Sequence, residues 1–175
     1  MAEYPPEEAY LVMQKEAADM FLGKSHESLR SVLLKPWFET DIVYRFRRKD
    51  FLPEPRVDVV MLRLRKRGPP LVHHTDRQYF RDFIVYSFTS WQPTLSYTLK
   101  GIFTRQQIKY ISRELGVHLE ATPTSLTFEQ WLSLFVYFKN IGNERAKRTI
   151  LGSEKRLMEQ QKRLQKVHRT RTERH

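Results

Sequence analysis

Three times in the second half of this chain a threonine is followed, three residues on, by a glutamine: Thr75 and Gln78, Thr104 and Gln107, Thr127 and Gln130. This is the spacing of the capping box, in which a hydroxyl and an amide side chain satisfy backbone N–H groups left open at a helix start. Behind each box the apolar residues recur at helical spacing. They are Tyr79, Phe80, Phe83, Ile84 and Phe88, then Ile108, Ile111 and Leu115, then Trp131, Leu134, Phe135 and Phe138. Pro93, Gly116 and Gly142 punctuate the ends. The pattern predicts a three-helix cluster over residues 75–141 with the aromatic rings as its core.

The first half reads differently. Pro5, Pro6, Glu7 and Glu8, followed by Tyr10, Met13, Ala17, Met20, Phe21 and then Gly23, predict an acidic first helix. Ser25 or Ser28 can cap a short second helix that runs through Leu34 and stops before Pro36. From Ile42 the period drops to two. Tyr44 and Phe46 alternate with Arg45 and Arg47; Val60, Leu62 and Leu64 alternate with Met61, Arg63 and Arg65. Two strands paired as a ribbon over about residues 42–66 would turn the apolar set inward and the arginines outward. The expected fold class is mainly α with a small β element. One globular body would cover residues 1–142 and a basic helical arm residues 143–175.

Charge is concentrated in two places. Residues 45–67 hold 9 Lys/Arg against 3 Asp/Glu and residues 139–175 hold 12 against 4, in a chain whose net charge is +11. In the second stretch Ile150, Leu157 and Leu164 recur every seventh residue, and Ser153 can cap a helix from Glu154 to about Val167. The tail from Arg169 has no apolar residue. Such a balance points to a polyanionic partner, because guanidinium forks match phosphate oxygens in pairs. The candidate RNA-binding residues of the ribbon are Arg45, Arg47, Arg48, Lys49, Arg63, Arg65, Lys66 and Arg67. Those of the arm are Arg145, Lys147, Arg148, Lys155, Arg156, Lys162, Arg163, Lys166, Arg169 and Arg171. The competing reading of the ribbon is a face whose arginines are paired with acids. Phe51 and Tyr97 are the aromatic residues expected to be exposed.

Other chemistry is sparse. The absence of cysteine excludes disulfide scaffolds, cysteine-based zinc sites and a thiol nucleophile, and suits an intracellular setting. The longest apolar runs, Phe83–Phe88 and Trp131–Phe138, fall short of the ~20 residues a membrane-spanning helix needs. The acidic first 19 residues are unlike a transit peptide. His73 and His74 are adjacent, with Asp76 nearby, but neighbouring side chains of an extended segment diverge and do not close on one metal ion. The six glycines form no phosphate loop, and there is no nucleophile elbow and no HExxH. No catalytic residue, metal, cofactor or small-molecule substrate is assigned.

Phe103 to Phe135, with Leu126-Thr127-Phe128-Glu129-Gln130-Trp131 opening its second helix, resembles one half of an EF-hand pair. The loop positions that would ligate calcium are Leu119, Ala121 and Pro123, with Gln130 at the twelfth, so the resemblance implies a calcium-independent module. Thr104 to Val117 also resembles the first helix and turn of a helix-turn-helix, although Pro123 stands where a recognition helix would run. Taken together the chain reads as a non-enzymatic structural component of a large ribonucleoprotein, of the ribosomal-protein kind, with a mitochondrial ribosome favoured. It would bind rRNA backbone and neighbouring proteins. The alternatives are an accessory subunit of an organellar membrane complex, or a calcium-independent EF-hand-like adaptor. The absence of aromatic residues beyond Asn140 favours RNA over lipid.

Overall fold

The computed structural model describes residues 6–90 and 94–171, with side chains through Leu164 in the last helix. Two compact units divide these residues: one comprises residues up to Arg77 together with Thr124–Trp131, the other Gln78–Pro123 and Leu132 onward.

The first unit is organised by a sheet. Strand β1 (Glu8–Gln14) runs straight into helix α1 (Lys15–Leu22), and helix α2 (Leu29–Leu34) leads to β2 (Phe38–Arg45) and β3 (Val59–Lys66). The strand order is β1-β3-β2, with β3 in the centre and both neighbours antiparallel to it. The single acidic helix expected at the start is therefore a strand followed by a helix, and the two-stranded ribbon is a three-stranded sheet. The physical reason lies in the residues between Glu8 and Gln14. Leu11 and Met13 stand opposite Leu62 and Val60, so a period of two already gives this segment a core face, and pairing with β3 satisfies its backbone. Its consecutive Tyr10, Leu11 and Val12 favour an extended chain over a helix.

Helix α1 closes over that face. Ala18 packs on Val60 and Leu62, all three buried, with Met13, Phe21, Leu22, Ile42 and Leu64 around them. Burying each large aliphatic side chain of this kind contributes about 1.5–3 kcal/mol. Gly23 ends α1 at φ 61°, in the left-handed region, and its N–H donates to the Asp19 carbonyl at 3.0 Å. Ser28 caps α2 as expected, accepting from the Ser31 N–H at 3.0 Å.

One irregularity decides which way the β2 side chains point. The register slips between Ile42, opposite Leu62, and Tyr44, opposite Met61, so Val43 is an extra residue in the strand. Up to Ile42 the strand keeps the expected alternation. Beyond the bulge it is inverted: Tyr44 joins the outward face with Met61, Arg63 and Arg65, while Arg45 stands opposite inward-facing Val60. The expectation that Tyr44 faces the body and Arg45 lies beside Arg63 is corrected by this single inserted residue.

The second unit is helical: α3 (Arg77–Phe88, from Gln78 on), α4 (Leu95–Lys100), α5 (Arg105–Glu114), α6 (Phe128–Ile141, from Leu132 on), α7 (Glu144–Ile150) and α8 (Ser153–Arg171). Its core is the predicted aromatic cluster. Phe83 stacks on Phe138 at 5.0 Å, Phe80 meets Phe135 edge-on at 5.1 Å, and Phe103 meets Phe138 edge-on at 5.6 Å. Two of the three capping boxes form, at Thr104/Gln107 and at Thr127/Gln130. At the first, Thr75 instead sits inside a short 3-10 turn capped by the His73 ring, and Gln78 donates to Glu154 at 3.1 Å. The seven-residue stripe does not run along one helix. Ile150 belongs to α7 and is fully buried, whereas Leu164 on α8 is 56% exposed.

Candidate nucleic-acid interface

The outward face of the sheet has two halves. At one end lies a charged lattice: Glu8 and Tyr10 on β1, Arg65 and Arg63 on β3, Glu39 and Asp41 on β2, each row set by strand register. Arg63 donates to both Asp41 oxygens, Nε at 3.1 Å and Nη2 at 3.0 Å. Arg65 holds Glu39 through Nε at 3.1 Å and through Nη2. Arg67 reaches Glu39 at 3.3 Å and the Lys35 carbonyl at 2.8 Å, and Lys66 pairs with Glu7 at 2.6 Å. The hydrogen bond from Arg65 holds the Glu39 carboxyl below the usual range, and the one to Asp41 raises Arg63. Tyr10, donating to Glu8 at 2.8 Å, is raised by that acceptor. Arg63, Arg65, Lys66 and Arg67 thus spend their charge within the sheet.

At the other end the face turns apolar. Val12, Met61 and Tyr44 lie side by side across the three strands, and Val12 and Tyr44 are about half exposed. The row continues into the β2–β3 loop. Tyr44 meets Phe46 edge-on at 4.9 Å, and Phe46 meets Phe51 at 5.2 Å. The loop is stiffened from within. Phe46 N–H donates to the Val59 carbonyl at 3.0 Å. The Asp50 carboxylate accepts from Arg47 N–H at 2.9 Å and from its Nη2 at 3.0 Å, and the paired guanidinium holds that carboxyl low. Leu52 at the tip is 99% exposed between these rings and Pro53. Arg48 and Lys49 stand exposed in the loop that carries Phe46 and Phe51, Arg48 with Asp58 at a loose 3.9 Å. Arg45 is exposed on the opposite face of β2, on the side of α1, where its charge reaches Asp19. Flat π-surfaces ringed by cations are what single-stranded RNA uses: bases stack on the rings and phosphates meet the cations.

Of the arm residues, Arg156 is committed to the chain itself, donating to the Leu151 carbonyl at 2.7 Å and Ser153 Oγ at 2.8 Å. Lys147 pairs with Glu144 at 3.0 Å. Arg145, Arg148, Lys155, Lys162 and Arg163 are exposed. The side chains of Lys166, Arg169 and Arg171 lie outside those described. Of the two rings expected to be exposed, Tyr97 is 48% so and stands on α4, whereas Phe51 is half-buried against Phe46. The aromatic trio as one unit was missed. Its signal was present: three rings within eight residues, interleaved with Arg45, Arg47, Arg48 and Lys49.

A family model for ribosomal RNA adenine dimethylase matches residues 1–140. The chain belongs to that family. It is 34% identical over 128 residues to the rRNA adenine N-6-methyltransferase of Bacillus licheniformis, an alignment covering 71% of this chain and 44% of the relative. It is 33% identical over 129 residues to the ribosomal RNA small subunit methyltransferase A of Oceanobacillus iheyensis, covering 69% and 44%. Among solved structures it resembles the 23S rRNA methyltransferase ErmE, with a TM-score of 0.67 and 28% identity over 76% of this chain and 55% of that one. A dimethyladenosine transferase from Plasmodium falciparum shares the fold, with a TM-score of 0.58, 19% identity and coverage of 79% and 60%. The chain spans 44% of the length of these curated relatives.

Membership of the dimethylase family overturns several expectations. The mainly helical structural body gives way to a Rossmann-like methyltransferase fold, of which this chain carries a small antiparallel sheet and helices. The non-enzymatic ribosomal component is corrected: the relatives are named as enzymes that act on rRNA. The membrane-complex subunit and the EF-hand-like adaptor fall with it. The relatives from Bacillus and Oceanobacillus lend the mitochondrial placement no support. Among the described residues no helix is long and apolar enough to cross a membrane.

A methyltransferase also needs a methyl donor, so the expectation of no small-molecule substrate conflicts with the family. The described residues do not fit that donor, S-adenosylmethionine. A nucleoside site in an open α/β sheet is made by a glycine-rich strand-to-helix turn and a carboxylate free to meet the ribose. Here β1 passes into α1 with no intervening loop, and Gly23, Gly116 and Gly152, the positive-φ glycines, follow helices instead. The polar cleft of the first unit, about 490 Å³, is lined by Glu27 and Glu39. Both carboxylates are already engaged, Glu27 by Ser31 at 2.6 Å and by Lys35, Glu39 by Arg65 and Arg67.

Proposed function

We propose that this chain is the rRNA-holding portion of an adenine N6-methylating enzyme, working inside the cell on rRNA and its associated proteins. The observation that carries the reading is the family match over residues 1–140, and the ring trio, with Tyr44 exposed and Phe46 and Phe51 half-buried, gives it a site. Tyr44, Phe46 and Phe51 offer stacking faces for an unpaired adenine. Arg48 and Lys49, in the same loop, hold the neighbouring phosphates. The acid-paired arginines of the sheet set the strand geometry that aims the trio. No step of methyl transfer is assigned to these residues; their part is to bind and orient the base. The methyl donor belongs to portions of the family's length that this chain does not match.

The test is fluorescence anisotropy of the full chain with a labelled rRNA hairpin bearing unpaired adenines, against the same hairpin with abasic sites there. Stacking is worth about 1–3 kcal/mol per base, so Phe46→Ala with Phe51→Ala should weaken the adenine hairpin between roughly fivefold and a hundredfold. The abasic hairpin should be nearly indifferent to the change. Equal affinity of the folded native chain for both hairpins would sink the reading.

A further inference from the structure

The family match stops at residue 140, yet Arg145, Arg148, Lys155, Lys162 and Arg163, all exposed, lie beyond it. Helix α8 starts in a socket built by one face of α3. Asp82 is 2% exposed; its Oδ2 accepts from the Gly152 N–H at 3.1 Å and its Oδ1 from the Glu154 N–H at 2.9 Å. It therefore caps α8 from another helix. Its neighbour Arg81 grips both Glu154 oxygens through Nε at 2.8 and 2.9 Å, and Gln78, one turn earlier, donates to the same carboxylate. Residues 78, 81 and 82 share one face of α3, so three side chains pin the first turn of α8. From Met158 to Leu164 every residue of α8 is exposed. Leu157 and Gln160 border a cleft against Tyr86 and Thr89 of α3, and from Met158 on the described side chains of the helix are open to solvent.

We propose that α8 is a latched second RNA-docking arm, added to the dimethylase fold, which lays Lys155, Lys162 and Arg163 along phosphates. Lys155 and Lys162 are seven residues apart, on the same face and about 10 Å along the axis, with Arg163 beside the second. The latch gives them a direction, since an arm that swung freely would lose more entropy on binding. RNA suits the surface better than lipid. Beyond Met158 the described apolar residue is Leu164, with no aromatic ring to seat in a bilayer interface. The contacts would be to backbone only, so the arm would strengthen binding without choosing the adenine.

This inference rests on the RNA-acting reading above, and its test separates the two. The full chain is titrated by anisotropy with an RNA duplex of about 16 base pairs and no unpaired adenine. Lys155→Ala, Lys162→Ala and Arg163→Ala together should weaken duplex binding by about tenfold or more and flatten the log–log salt slope by about 2–3. The triple variant should keep the native melting midpoint and the preference for the adenine hairpin over the abasic one. Asp82→Asn, a positioning change, should weaken duplex binding too, and should add nothing to the triple variant, because both remove the same interaction. Duplex affinity unchanged in the folded triple variant would overturn the arm. Additive losses would overturn the latch. Loss confined to phosphatidylglycerol vesicles, with RNA binding intact, would replace RNA by lipid. A native chain that binds the duplex through the arm but ignores adenine would sink the proposed function and spare the arm.

Discussion

Arg63 and Arg65 on β3 and Lys162 and Arg163 on α8 carry the same charge and lie in the two most basic stretches of the chain, but their surroundings are opposite. The strand arginines stand directly across from Asp41 and Glu39, which register delivers at hydrogen-bond distance. The helix cations project from an exposed rod, where the surrounding residues are equally exposed. A cation already engaged by a carboxylate must break that pair before it can neutralise a phosphate, so its counterion-release gain is mostly forfeited. Local charge counts do not distinguish the two cases. What distinguishes them is whether a neighbouring strand brings an acid to the same row.

The comparison can be tested first on stability. Leu62 is fully buried on the central strand, so Leu62→Ala should cost about 2–5 kcal/mol. Leu164→Ala, on the exposed arm, should stay within about 0.5 kcal/mol. Chemical denaturation reads both. A large cost at Leu164 would mean that the arm packs on a surface in solution. Asp82→Ala stands between them, at about 1–3 kcal/mol, because it strips two backbone N–H groups of their buried acceptor. A neutral Asp82→Ala would mean that the socket does not hold the arm.

Salt dependence sharpens the contrast in function. Arg63→Ala with Arg65→Ala should leave the slope for duplex RNA within about one unit of native, whereas the arm triple variant loses about 2–3. A fall of about two units from the strand pair would show that RNA displaces Asp41 and Glu39, and would restore the sheet as a phosphate surface.

How much of this was legible depends on how far each signal reaches along the chain. Capping at Thr104 and Thr127 and the ring core of Phe83, Phe135 and Phe138 were readable, because local spacing and burial agree there. The first strand was misread because Tyr10, Met13 and Ala17 fit a helical face as well as Leu11 and Met13 fit a strand. Its partner, β3, lies more than forty residues away. The bulge at Val43 leaves no trace in composition, and it alone turns Tyr44 outward toward Phe46 and Phe51. The trio was therefore hidden by an alternation that looked regular. Asp82 could not be found from its own helix, where it is one acid among aromatic residues; its role comes from Gly152 and Glu154, about seventy residues on.

The smallest effect concerns pH, and it tests the acid pairing itself. Arg65, by hydrogen bond first and charge second, holds the folded Glu39 carboxyl below its ordinary value, with Arg67 and Arg63 adding to the pull. Unfolding returns that carboxyl to its ordinary value near 4. The unfolded chain therefore takes up the proton first as the solution is acidified. The stabilisation is complete above the ordinary carboxylate range and drains away as pH falls through the lower folded value. Arg65→Ala should remove part of this dependence, since Arg67 at 3.3 Å still faces Glu39. Melting midpoints taken from pH 7 to about 3 should thus differ most at neutral pH and converge in acid. Lys162→Ala, which the arm reading leaves without an acid partner, should run parallel to the native curve throughout. If the Arg65→Ala curve also runs parallel, Glu39 titrates alike in both states. The strand arginines would then be as available to phosphate as those of the arm, and the contrast between the two regions would collapse.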